Sequence, residues 1–279
     1  MSIAPPATPL FFTSAGRPLY AVFHAPERER RNAPVLVHCH TLGVEQLTSY
    51  RPEVLNARAA AAAGFPVFRF HARGHGDSSG DFAAVTLATL ADDAMAAADQ
   101  ARELSGARRV IWLGVRFGAL MAAATIGRRD DAAGLALWEP VHRPADYFRS
   151  MLRGVLFSKV AQGQRPDQTV DELLQAVERE GQVDVHGYYL HRALVQSSRQ
   201  AELGERLGGW LGPTLIAQVQ MRPRLADAHA ALATSLAERG APVRTVLVHE
   251  EPGWQLISNP PWLGQDLVRH TVEWLDAVA

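Results

Sequence analysis

The chain of 279 residues has a single cysteine, Cys39. No internal disulfide can form, which fits a reducing compartment. Its net charge is −1, so there is no electrostatic reason to expect nucleic acid or an anionic membrane as partner. No uncharged apolar run approaches the roughly 18 residues of a membrane span. The opening M-S-I-A-P-P-A-T-P lacks the basic and apolar regions of a signal peptide. A soluble, cytoplasmic protein without membrane insertion is therefore expected, and neither an internal repeat nor a low-complexity linker is visible. Hydrophobic residues make up 47% and charged residues 20%, an ordinary globular composition. The length suits one large α/β domain or two small ones, and the abundance of Ala and Arg suggests a GC-rich bacterial genome.

Read in order, residues 1–9 form a proline-rich arm, and 10–13 and 19–24 form an opening hairpin around the turn S-A-G-R-P. Strands follow at 34–40, 66–71, 109–114 and 134–140. They alternate with helices at 51–63, 86–104 and 117–127, and 41–50 reads as a polar loop. This alternation predicts parallel βαβ units. It stops over 141–212, where no strand is convincing and helices are expected at 145–156, 169–180, 187–199 and 200–207. It resumes with strands at 213–219 and 243–248 and helices at 226–239 and 264–278. The expected organisation is a core of 1–140 and 213–279 with a helical cap, 141–212, inserted over the carboxyl edge of the sheet, since so long a segment exceeds a plain connection.

Ligands bind at the carboxyl ends of the strands in open parallel sheets. Those ends here are His38-Cys39-His40-Thr41, His71 to Ser79, Val115-Arg116-Phe117, Trp138-Glu139-Pro140, Val219 to Arg222, and His249 to Trp254. The sequence G114-V-R-F-G118, at the end of an apolar strand and the start of a small-residue helix, has the spacing of the nucleophile elbow G-x-S-x-G. With the turn at His38 and the R-G-H-G-D-S-S-G loop at 73–80, it resembles the α/β-hydrolase superfamily over essentially the whole chain. That implies a doubly wound, mostly parallel sheet. G-V-R-F-G, L-W-E-P-V at 137–141 and P-G-W at 252–254 are similar to a bacterial branch, the exosortase-associated hydrolases, which also carry arginine at the elbow.

The resemblance implies a nucleophile on the elbow, an acid after a later strand and a histidine after the last. This chain departs at all three. Arg116 stands at the nucleophile position, and guanidinium is neither nucleophile nor base. Residues 218–222 contain no Asp or Glu, and Asp227 falls inside a helix. Gly253-Trp254-Gln255 occupies the histidine position, with His249 several residues early and Trp254 filling the vacated space. At a helix N-terminus Arg116 could hold an anion, but a buried charge normally needs a partner, and Glu139, Glu45 or Glu250 could neutralise it. His38 and His40 share one strand face while Cys39 points away; two histidines without a placed carboxylate do not make a metal site, and no cofactor is implied. His38, His40, Thr41, Arg116, Phe117, Glu139 and Trp254 form the candidate binding or oxyanion region. Arg116, His249 and His40 are the catalytic candidates. Arg73, His75 and Asp77 are expected to be structural, with Arg73 and Asp77 holding neighbouring loops.

Three functions follow. The first is a hydrolase-fold protein without triad turnover that binds a small acyl or anionic ligand. The second is an unconventional ester or thioester hydrolase or acyltransferase, using the oxyanion hole and a His or Glu. The third is an assembly subunit, with a homo-oligomer or protein partner bound through the cap.

Overall fold

The computed structural model describes residues 7–28, 30–254 and 262–279. Its main sheet has eight strands: β1 (Ala7–Ser14), β2 (Arg17–His24), β3 (Val35–Cys39), β4 (Val67–Phe70), β5 (Val110–Val115), β6 (Ala132–Trp138), β9 (Thr214–Val219) and β10 (Val243–Val248). Their order is β1-β2-β4-β3-β5-β6-β9-β10. The β1-β2 hairpin joins β4 antiparallel, and every pairing beyond it is parallel. This is the expected doubly wound α/β sheet. β1 begins at Ala7, inside the stretch expected as an irregular arm, because its whole length is zipped to β2.

Both faces of the central strands are covered, so side chains alternate between two cores. Leu36, Ile111, Leu113, Trp138 and Leu215 face α1 (Val44–Ala62) and α9 (Gln265–Val278). Val35, Val37, Trp112, Leu135 and Ile216 face α2 (Leu87–Ser105), α3 (Gly118–Ile126) and α8 (Asp227–Glu238). The chain runs from β3 to its neighbour β4 on one side and then crosses back over β3 to β5 on the other. The switch point, where such folds open a crevice, therefore lies beyond Cys39 and Val115.

Between β6 and β9 run α4 (Pro144–Ala161), α5 (Val170–Glu180), the hairpin β7 (Gln182–Val185) and β8 (Tyr188–His191), α6 (Arg192–Ser198) and α7 (Leu203–Arg206). The hairpin corrects the expectation of helix from 187. Val185 pairs with Tyr188 across a two-residue turn, and His186 and Gly187 both have positive φ, 55° and 85°, as a type I′ turn requires. A second correction concerns 41–50. α1 begins at Val44, eight residues before its internal Pro52, because the first half of this helix buries a polar rather than an apolar stripe.

Candidate functional site

The elbow is built by backbone constraints that the two glycines satisfy. A Cβ on Gly118 would fall 1.9 Å from the Cys39 carbonyl oxygen, and one on Gly114 2.6 Å from Ala119 Cα. Between them Arg116 has φ 51°, a conformation costly for a residue with a side chain and held only where surroundings over-determine it. Here Arg116 N–H donates to the Trp138 carbonyl at 2.9 Å, and Ala119 and Val141 N–H donate to the Arg116 carbonyl. The side chain is thrust off the sheet edge at the start of α3.

Of the three carboxylates that could neutralise it, Glu45 does so. Arg116 Nη2 lies 2.9 Å from Glu45 Oε1, and Nε lies 3.3 Å from both oxygens. The pair is enclosed, with side chains 16% and 3% exposed. The hydroxyls of Thr41 and Tyr147 each donate to Glu45 Oε2 at 2.9 Å, and Arg116 Nη1 donates to the Glu139 carbonyl at 3.2 Å. Burial opposes the charge on Arg116, but Glu45 more than offsets it and raises the pKa. Burial, then the Glu45 charge, pushes the Tyr147 phenol well above its usual range. Among the described residues Arg116 Nη1 bonds only the Glu139 carbonyl and Nη2 only Glu45, so each terminal nitrogen keeps one hydrogen to donate.

Glu139 also has positive φ, 45°. Its Oε2 accepts from Val219 N–H at 2.8 Å, and burial raises its pKa. Glu250, the third possible partner, accepts instead from Trp262 Nε1 at 2.8 Å.

The polar stripe of α1 continues below. Glu45, Ser49, Glu53 and Asn56, all buried, recur at helical spacing along one face. His40 Nδ1 donates to Glu53, and Ser49 donates to the other Glu53 oxygen at 2.7 Å. Burial opposes ionisation of Glu53, yet His40 and Ser49 hold its pKa down. Asn56 donates to His38 Nε2 at 3.3 Å, and burial drives the His38 pKa well below its ordinary value. His38 and His40 thus serve α1 packing, while His40 Nε2 is buried with no hydrogen-bond partner among the described residues. Cys39 is fully buried and its thiol pKa is raised by burial. Phe117 is buried between Tyr147 and Phe148, with ring centroids 5.7 and 6.0 Å away.

Two cavities share Arg116 and Ser150 in their linings. One, about 630 Å³, is lined by Arg116, His142, Arg143, Asp146, Ser150 and Glu202, among others. The other, about 490 Å³, is lined by Arg116, Glu139, Met151, Gly154, Phe157 and Trp254, among others. His142, which lines the first, shares through Nε2 a hydrogen bond of 2.7 Å with Nδ1 of the buried His229. Burial holds their pKa values down to about 4 and about 3, helped by Arg143 and by the pairing itself. Trp254 is buried against Trp262 at 4.6 Å and its carbonyl accepts from Thr48.

Some candidates fall elsewhere. His249 is exposed at the end of β10 and lines neither cavity. In the 73–80 loop Arg73 grips Asp93 of α2 through Nε, Nη2 and its backbone N–H at 2.6–2.9 Å. Asp77 is exposed and makes no hydrogen bond among the described residues, correcting its expected role; Ser78 ties the loop instead, accepting from Tyr20 N–H and donating to the His71 carbonyl. His75 packs on Phe82 at 4.6 Å. Gln218 is buried and its Oε1 accepts from Ala226 N–H, while Asp227 sits in the first turn of α8 beside Arg224. Gln255 lies outside the described residues. Among them, no group of three or more His, Cys, Asp or Glu side chains is arranged to hold a metal ion. Reading by apolar periodicity missed Glu53, Ser49, Asn56, Asp93 and the His142–His229 pair; the 45/49/53/56 spacing was the available signal.

The profile of the serine aminopeptidase S33 family matches residues 25–201, more than half of the chain, elbow included. The chain belongs to the serine aminopeptidase S33 family. Solved structures place this S33 member among α/β-hydrolase folds. Est1E of Butyrivibrio proteoclasticus, bound to ferulic acid, is 17% identical with a TM-score of 0.72, covering 96% of this chain and 98% of that one. An esterase of Pyrococcus furiosus is 13% identical with a TM-score of 0.66, covering 98% and 91%. The acylaminoacyl peptidase of Pyrococcus horikoshii is 16% identical with a TM-score of 0.61, covering 98% of this chain and 41% of that one. No curated protein matches the sequence. The S33 match ends before β9, so it does not reach the strand ends after which the superfamily's acid and histidine are expected.

Proposed function

We propose that this S33 family member is a ligand-binding α/β-hydrolase-fold protein without serine-type turnover, taking an acyl compound whose carbonyl oxygen meets the free N–H groups of Arg116. One observation carries this reading: the elbow side chain is a guanidinium paired with Glu45, which Thr41 and Tyr147 hold in turn, where a serine hydrolase needs a nucleophile. Neutralisation by Glu45 weakens the case for a simple anion site and favours a polar acyl group. Residues 141–212 act as a cap over a core of 1–140 and 213–279, which is supported by α4 lining both cavities. G-V-R-F-G and L-W-E-P-V favour the exosortase-associated branch. A fluorophosphonate probe is expected to leave the protein unlabelled, and Arg116→Ser is expected not to create an esterase. Strong labelling, or clear ester turnover in that variant, would overturn the reading.

A second reading, an ester or thioester hydrolase or acyltransferase that works without serine, is favoured by Glu139. It is a buried carboxylate of raised pKa lining the same cavity as Arg116, and such a group can serve as general base toward water. A broad ester and thioester panel tests it: turnover abolished in Glu139→Gln establishes this reading, and no turnover in the wild type removes it.

A further inference from the structure

Among the described residues one arginine is buried outright. Arg69, in β4, is 4% exposed. The partly buried Arg73, Arg116 and Arg129 each hold a carboxylate. The Arg69 guanidinium makes no ion pair and no hydrogen bond among the described residues, and its Nε is cut off from water. It lies over the Tyr50 ring, 4.8 Å from the centroid. Against burial, His40 and Ser49 and then Arg69 hold the Glu53 pKa down, but His40 and Ser49 already bond both Glu53 oxygens. A buried charge left in this state is costly.

Three strands gather donors around it. In the register of the sheet Arg69 lies between Val22 of β2 and His38 of β3, and His24 stands two residues further along β2. Residues two apart share a face, so Arg69, His24 and His38 lie with Val67 and Leu36 on the side covered by α1. His24 Nε2 and His38 Nδ1 are buried with no hydrogen-bond partner among the described residues. Because His38 Nε2 accepts from Asn56, the neutral ring carries its hydrogen on Nδ1. Arg69 Nε–H and His38 Nδ1–H are thus two unused donors on directly opposed residues, and the Nε2–H tautomer of His24 supplies a third. Asn56 Oδ1 is an unused acceptor in the same layer. Burial first, then the charge of Arg69, lowers the pKa of both imidazoles, so near neutral pH neither competes with Arg69 for a counter-charge. Arg58, exposed on α1 and acting on His24, adds positive charge nearby.

A carboxylate from another molecule would need the open fork of the guanidinium, and a residue 4% exposed does not present one. A single-atom anion needs only converging N–H groups. We propose that a halide ion, chloride or bromide, binds beneath α1 on Arg69 Nε and His38 Nδ1, with His24 Nε2 as the third donor. It neutralises Arg69 and ties β2, β3 and β4 together under the helix. None of the three side chains lines either cavity beside Arg116, so this site is separate from the ligand site.

Thermal unfolding of the full chain tests it, with sodium bromide replacing sodium gluconate at constant ionic strength and neutral pH. The melting temperature is expected to rise by about 2 °C and then level off as the ion fills the site. Arg69→Gln is expected to abolish that rise. In wild-type crystals grown with bromide, anomalous scattering is expected at a position in contact with Arg69 Nε and His38 Nδ1, a readout that does not depend on the folding of the variant. A melting temperature indifferent to bromide, a rise that persists in Arg69→Gln, or an anomalous map without bromide beside Arg69 would each refute the site.

Discussion

Helices α1 and α2 cover opposite faces of the same sheet, each 19 residues long, and they bury opposite kinds of surface. The inward stripe of α2 is Leu87, Leu90, Ala91, Ala94, Ala97, Ala98 and Ala101, with Asp93 alone in polarity. The first half of α1 turns Glu45, Ser49, Glu53 and Asn56 inward and only then reverts to Ala57, Ala60 and Ala61. An apolar stripe gains by leaving water, at about 25 cal/mol per Å² of apolar surface. A buried polar stripe loses unless every group finds a partner. The partners of α1 are His38, His40, Thr41, Arg116 and Tyr147, the residues at the switch point. One helix is scaffold; the other is the far wall of the site.

Breaking the polar side should give the largest effect. Glu45→Ala strands the Arg116 charge and leaves two hydroxyls without their acceptor, and is expected to cost about 3–5 kcal/mol in chemical denaturation. Replacing both partners, Glu45→Leu with Arg116→Met, should recover most of that, since an apolar pair of similar volume avoids burying charge altogether. A double variant as unstable as Glu45→Ala would show that Thr41 and Tyr147, not Arg116, carry the dependence on Glu45. On the apolar side, Leu90 is fully buried, and Leu90→Ala should cost about 3 kcal/mol through lost transfer energy and a cavity, with no partner change able to rescue it.

The two sides also differ in how readily the sequence disclosed them. The strands, α2 and the elbow follow from apolar periodicity and from glycines whose Cβ atoms would strike backbone. Helix at 51–63 follows from propensity, but the first turns of α1 at 44–50 do not, because periodicity seeks apolar stripes and E-x-x-x-S-x-x-x-E-x-x-N reads as a solvated face. Arg116 was visible as a charge in need of a partner, but three acidic residues could have supplied it. Only the fold brings residue 45 beside residue 116. The β7-β8 hairpin hid behind an uncommon turn, with His186 rather than Asn or Asp at its first left-handed position.

Acid should distinguish the two sides by a smaller step. His24, His71 and His142 titrate near 4 and His229 near 3 in the fold, chiefly through burial, against an ordinary value of 6.5. Their folded pKa values lie below the unfolded one, so between pH 6.5 and about 4 the unfolded chain binds more protons. The stability they allow is complete above pH 6.5 and is lost as pH falls, by at most about 1.4 kcal/mol per pH unit for each fully buried group. The lowered pKa of Glu53 acts in the same direction. Denaturation midpoints of wild type should therefore decline from pH 7 to 5. Those of Leu90→Ala should run parallel below them, because removing carbon removes no proton site. A wild-type midpoint constant over that range would mean that these imidazoles are solvated.

The smallest expected effect lies at the helix starts. Thr86 and Thr89 cap α2 reciprocally: Thr89 N–H donates to Thr86 Oγ1 at 3.1 Å and Thr86 N–H donates to Thr89 Oγ1 at 2.9 Å. Thr86→Ala removes one acceptor from the first turn and should cost about 1 kcal/mol. α1 starts at Gly43, which has no side chain to cap with and a φ of 57°, and a Cβ there would touch Tyr188 and Met151 at 3.7–3.8 Å. That helix start has no side-chain cap and a left-handed backbone that glycine alone adopts without strain. Gly43→Ala is therefore expected to strain the left-handed start of α1, beside Glu45, and to change ligand affinity, whereas Thr86→Ala should lower the denaturation midpoint and leave binding intact. If the two variants proved interchangeable in both measurements, the division between scaffold helix and site helix would not hold.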